Sequence, residues 1–162
     1  MTKEPMTQYG YAKLTKELEW YKNEERPKTV AELDYARSLG DLKENAEYHA
    51  AKDRLAFIDA KIAELSDMLA RAQVIDPATL PHKKVSFGST VTLLDLDIEE
   101  EVEYTIVGAP ESNPEHGLIS IHSPLARALM GKEEGDEIHV NFGAKKMDFE
   151  VLKVTFKPIK LG

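Results

Sequence analysis

Between residues 48 and 72 the apolar side chains fall at Tyr48, Ala51, Leu55, Ile58, Ile62, Leu65, Leu69 and Ala72, with spacings of 3, 4, 3, 4, 3, 4 and 3. An apolar repeat of this kind, held for more than three heptads without Gly or Pro, specifies a helix with one narrow seam. At 1.5 Å per residue that helix is about 37 Å long. Lys52, Asp53, Asp59, Lys61 and Glu64 fill its other faces. A single seam is too narrow for burial in a globular core, so it requires one long partner helix. The partner precedes it: Tyr11, Leu14, Leu18 and Tyr21 repeat at 3, 4, 3, and Val30, Leu33 and Ala36 resume beyond Arg26-Pro27. A helical proline removes one hydrogen bond and bends the axis. The resumed seam predicts one kinked helix over residues 8–38, with two segments meeting near Pro27 as the alternative. The short link Leu39-Gly40-Asp41 favours antiparallel packing. The expectation is a hairpin domain over residues 1–76 with its tip near 38–47.

After Asp76 the period changes. Residues 77–84 hold two prolines and read as a linker. Short alternating runs follow at 85–96, 102–107, 118–122, 138–142 and 149–156, with Val102, Tyr104 and Ile106 on one face. One helix interrupts them: Ser123 is placed to cap it, Pro124 takes its first position and Gly131 stops it. Residues 85–162 are thus expected to form a small, mostly antiparallel sheet domain with one short helix, and the whole chain an α+β protein of two domains. The aromatics Phe87, Tyr104, Phe142, Phe149 and Phe156 sit at strand positions and are assigned to core.

Composition limits the chemistry. There is no cysteine, so thiolate catalysis, disulfides and Cys-bound zinc are excluded. The net charge is −8, and neither half is basic, so free duplex DNA should be held weakly or not at all. No apolar run resembles a leader or a membrane span, and the expected location is the cytoplasm. None of His49, His82, His116, His122 and His139 forms a ligand motif with another His, and the glycines build no phosphate loop. Ser120 and Ser123 lack the Gly-flanked elbow of a hydrolase nucleophile.

What remains is the tip, Gly40-Asp41-Leu42-Lys43-Glu44-Asn45-Ala46-Glu47-Tyr48. On a helix, Asp41 and Glu44 would share one face and could share a hard cation. The plainer reading makes Asp41 the N-cap of the second helix and Glu44 the closing residue of a capping box. Two carboxylates alone cannot hold Mg²⁺ tightly, since the ion keeps its waters and prefers octahedral oxygen ligands. Arg37 and Lys52 flank the tip, either as phosphate contacts or as part of an ordinary solvated face.

The run from Ala36 to Lys52, Ala-Arg-Ser-Leu-Gly-Asp-Leu-Lys-Glu-Asn-Ala-Glu-Tyr-His-Ala-Ala-Lys, closely resembles the signature of the Gre family of bacterial transcript cleavage factors. Further segments resemble the family in order: Pro5-Met6-Thr7 with Gly10, Arg26-Pro27, Ala72-Gln73-Val74-Ile75-Asp76, Phe87-Gly88-Ser89-Thr90-Val91, and the stretch from Ile119 to Lys132 with Ser123-Pro124-Leu125-Ala126-Arg127-Ala128-Leu129. The resemblance implies a coiled-coil hairpin followed by a domain similar to FK506-binding prolyl isomerases. It implies binding to RNA polymerase at the rim of the secondary channel through the second domain, with Ser120, Ser123 and Pro124 as contact residues. The hairpin would then reach the polymerase active site. There Asp41 and Glu44 would help hold a shared Mg²⁺ and orient water, so that the polymerase cuts its own backtracked RNA. No cofactor would be bound by the chain alone, and DNA would be met only within the elongation complex. Arg37 and Lys52 resemble the family's basic patch near the RNA 3′ end, with Lys52 standing where arginine is also common. Glu17, Glu19, Glu24 and Glu25 on the first helix favour the branch with the smaller patch. Two other expectations compete: a channel-plugging inhibitor on the same scaffold, and a free prolyl isomerase, which would need an open aromatic pocket.

Overall fold

The computed structural model describes residues 3–159. Strand β1 (Glu4–Thr7) leads directly into helix α1 (Gln8–Trp20), a π-helical turn (Tyr21–Glu25) and helix α2 (Arg26–Ser38), and helix α3 (Ala46–Arg71) follows the tip. The helical path therefore runs unbroken from Gln8 to Ser38. Where the sequence predicts a kink the helix carries the π turn, in which the Arg26 N–H reaches back to the Tyr21 carbonyl. Its cause lies one residue on. Pro27 has no N–H and its ring would strike the carbonyl four residues earlier, and widening the preceding turn relieves that clash.

The π turn also resets the seam. On α2 the fully buried residues are Thr29 and Ala36, seven apart, while Val30 and Leu33 are half-buried. On α3, Ala51, Ile58 and Leu65 are buried at intervals of seven, and Tyr48, Leu55, Ile62 and Leu69 are half-buried. The arms run antiparallel, pinned by Arg26–Asp59 at 2.8 Å and Arg54–Glu25 at 3.2 Å. Arg26, Asp59 and Arg54 are about half-exposed, whereas Glu25 is mostly covered, so the first pair sets register more than it adds stability.

The sheet has the order β5-β4-β3-β7-β6, built from β3 (Thr90–Asp95), β4 (Glu100–Val107), β5 (Leu118–Ser120), β6 (Glu137–Phe142) and β7 (Lys145–Thr155). Three pairings are antiparallel and β4–β5 is parallel. Helix α4 (Pro124–Leu129) starts on Ser123, whose hydroxyl accepts the Ala126 N–H at 3.2 Å. Val91, Leu93, Ile106, Leu125, Leu129, Phe149 and Val151 form the core of this domain. Of the aromatics assigned to core, Phe87 and Phe149 are buried, whereas Phe142 ends strand β6 and is exposed. A strand-end residue can lean past the sheet, which its alternation with Val140 does not reveal. The strand predicted from residue 85 begins only at Thr90. Gly88, at φ 85°, turns the chain, and Val85 instead bonds to Gly131 and Lys132 after α4.

The domain boundary differs from the one read off the period. The compact units are Ala12–Arg71 on one side and, on the other, the chain up to Tyr11 together with Ala72 onward. Strand β1 pairs in parallel with β2 (Ala72–Ile75), Met6 opposite Val74, and Met6 and Thr7 are fully buried. Residues 77–84 are not a free tether. Pro77 is buried in a turn capped by Asp76, and His82 bonds the Ser89 hydroxyl and the Pro77 carbonyl, each at 2.6 Å, while stacking on Phe156.

Glu111 ties β1 into this unit. Its carboxylate accepts the Thr7 N–H at 2.7 Å, the Thr7 hydroxyl, and the Gly108 N–H at 3.2 Å. Gly10 is required beside it, because a Cβ there would lie 2.4 Å from the Glu111 side chain. Burial pushes the Glu111 carboxyl above its ordinary value of 4.5, and the bonds from Thr7 and Gly108 only partly oppose this. Below 4.5 both folded and unfolded chains hold the proton. As pH rises the unfolded chain ionises first and is favoured, until the raised folded value is passed. Wild type should therefore lose stability relative to Glu111→Gln as pH rises above about 4.5, read by urea unfolding. A difference that stays flat would mean the carboxyl ionises as freely as in water.

Candidate functional site

Helix α2 ends where Gly40 takes the left-handed conformation at φ 82°, the usual helix stop. Leu39 and Gly40 donate back to the carbonyls of Ala36 and Arg37, at 3.1 and 3.3 Å. Asp41 follows at φ 34°, a region that side-chain-bearing residues seldom occupy and that Asp and Asn tolerate best. Asp41 through Glu44 then form a turn closed by the Glu44 N–H on the Asp41 carbonyl at 3.3 Å. First and fourth residues of such a turn lie within about 7 Å of each other at their α-carbons. Asp41 and Glu44 are thus brought together by a turn, not by a helix face, and both are exposed.

Asp41 is not the helix cap. That role belongs to Asn45, whose side-chain oxygen accepts the Tyr48 N–H at 3.0 Å. The first bond of α3 follows, from the His49 N–H to the Asn45 carbonyl at 3.2 Å. The Asn45 amide nitrogen also donates to the carbonyls of Ala36 at 2.6 Å and Gly40 at 3.3 Å. The capping-box expectation fails because the helix starts four residues later than the acidic spacing suggested. Neither tip carboxylate is committed to an N-cap bond.

Arg37 lies on the last turn of α2, exposed, and pairs with Asp34 at 3.7 Å. Lys52 is exposed on α3. Leu39 and Leu42 are exposed beside the acids, giving the tip an apolar rim. Among the described residues no group of three His, Asp or Glu side chains is arranged to hold a metal, so Asp41 and Glu44 form a pair and not a closed site. The groove of about 600 Å³ between the arms is bordered by Lys28, Thr29, Tyr35 and Arg54. In the sheet unit, Ser123 is engaged as the α4 cap and the Ser120 hydroxyl accepts the His122 N–H at 3.1 Å, while Pro124 is exposed. His122 and His139 are exposed and bond Glu4 and Asp148.

Sequence reasoning missed Asn45, Glu111 and His82. For Asn45 a signal existed, since it stands three residues before Tyr48, where the unbroken seam begins, as an N-cap must. Glu111 and His82 meet partners far along the chain or outside any periodic run, and nothing local marks them.

A helical hairpin with an acidic turn at its end, joined to a small mixed sheet, matches one class of protein along both parts. The family model for the transcription elongation factor N-terminal domain fits residues 4–74, and that for the GreA/GreB C-terminal domain fits residues 80–156. Transcription elongation factor GreA of Nitratiruptor sp. is 70% identical over 158 residues, 98% of this chain and 96% of that protein. Transcription elongation factor GreA of Wolinella succinogenes is 60% identical over 159 residues, 98% of each. The GreA factor homolog 1 protein of Thermus thermophilus superimposes loosely, with TM-score 0.44 and 27% identity over 94% of this chain and 99% of that one. The chain belongs to the GreA/GreB family of transcription elongation factors, on its GreA side. Among the described residues no helix is long and apolar enough to cross a membrane.

Proposed function

We propose that the chain binds RNA polymerase, passes its hairpin tip through the secondary channel and stimulates the polymerase to cut backtracked RNA. The observation that carries this reading is the pair of exposed, uncommitted carboxylates on the Asp41–Glu44 turn, too few to hold a metal alone and displayed at the end of a hairpin. Two hard oxygen donors on one turn fit a Mg²⁺ whose other ligands come from the polymerase and the RNA phosphate. Such an ion would supply the activation of water and charge neutralisation of two-metal phosphodiester cleavage. The chain's own part is then to bring carboxylate oxygens to that place and to accept a hydrogen bond or proton from the attacking water. Arg37 and Lys52 would steady the RNA phosphates. Lys52 does so as a point charge, without the bidentate grip of a guanidinium. Ser120, Ser123 and Pro124 would meet the channel rim; both serine oxygens already accept a backbone bond, which leaves their hydroxyl hydrogens to donate. An acidic protein needs no affinity of its own for nucleic acid in this arrangement.

Added to halted elongation complexes, the protein should release short RNAs from the 3′ end and return the complexes to extension. Slowed extension without cleavage would instead establish a channel plug, and no effect on either would overturn the assignment.

A further inference from the structure

Asn45 uses the two ends of its amide for different tasks. The oxygen caps α3 through the Tyr48 N–H, a task Asp or Ser would perform as well. The nitrogen grips two carbonyls, Ala36 at the end of α2 and Gly40 immediately before Asp41. The orientation of the amide is unambiguous, because two carbonyls require a donor and the Tyr48 N–H requires an acceptor. The Gly40 carbonyl belongs to the peptide plane that precedes Asp41, so fixing it fixes the backbone rotation at both residues. Both are left-handed, Gly40 at 82° and Asp41 at 34°, and for Asp41 that conformation must be held against its own preference.

We infer that Asn45 is a positioning residue for the tip acids: its amide nitrogen holds the Gly40–Asp41 bend and thereby sets the Asp41 carboxylate relative to Glu44. Its role is neither metal nor RNA contact. Asp, with no donor, would present a carboxylate to two carbonyls. Ser would cap, but its single short hydroxyl cannot span both. This inference rests on the reading of Asp41 and Glu44 as Mg²⁺ donors, but its structural half can be tested apart from it.

The test uses full-length Asn45→Asp and Asn45→Ser, the second controlling for added charge. Both should keep wild-type helicity and wild-type affinity for halted polymerase complexes. Both should need at least about tenfold more Mg²⁺ for half-maximal cleavage, since a displaced carboxylate weakens a shared metal site. In solution NMR the Asp41 amide–Hα coupling should move away from its left-handed value. Wild-type Mg²⁺ dependence in both variants, alongside loss of cleavage in Asp41→Asn, would overturn the role of Asn45 and leave the tip acids standing. An unchanged Asp41 coupling would overturn it whatever the cleavage assay gives. If Asp41→Asn also cleaves normally, the reading of the acids fails, and the coupling alone judges the bracing.

Discussion

The double variant Asp41→Asn, Glu44→Gln should remain folded and bound to polymerase while its stimulation of cleavage falls on the order of 10²-fold or more. The geometry of the tip makes this a clean experiment. Neither carboxylate caps a helix, since Asn45 does. Asn tolerates the left-handed backbone at position 41 as Asp does, so stability should change by less than about 0.5 kcal/mol. What changes is the chemistry: a neutral amide is a poor ligand for a hard cation and a poor proton acceptor. The single variants should regain part of the loss at raised Mg²⁺. Cleavage by the double variant at the wild-type rate would mean that the two acids are bystanders at the tip.

Ile58→Asp should collapse the hairpin. Ile58 is fully buried at the centre of the α3 seam, between Ala51 and Leu65 in the seven-residue series. The substitution removes an aliphatic side chain and buries a carboxylate in the apolar seam, at a cost of several kcal/mol. Unit Ala12–Arg71 has little core to absorb that loss. The sheet unit has its own core and should keep its unfolding transition. Circular dichroism at the helical band should drop early, with the second transition unmoved. A melting profile like that of wild type would show that the seam is not what holds the arms together.

Much of the hairpin is legible in the sequence because its determinants are local and periodic. The heptads of α3 mark the buried positions, and Pro27 marks the place where the helix departs from regular α geometry. The π turn is not legible, because one extra residue in a turn shifts which neighbour is buried: Thr29 takes the place that Val30 was expected to hold. The tip acids are visible as a pair, but their geometry is not. Asp41 and Asn45 are both good cap residues, and the choice depends on the left-handed stop at Gly40. Strand β1 was invisible for another reason. Four residues, one a proline, pair with a strand that follows the whole hairpin, and no local pattern reports a parallel pairing over such a separation. The buried Glu111 that anchors it reads in the sequence as one more surface acid.

A Mg²⁺ titration of RNA cleavage in halted complexes, with no protein, with wild type and with Asp41→Asn, tests most directly whether the tip shares a metal. If the tip lends ligands to a shared metal, wild type should lower the Mg²⁺ needed for half-maximal cleavage by about tenfold or more, and Asp41→Asn should lose most of that gain. A Mg²⁺ requirement that is the same in all three would contradict it.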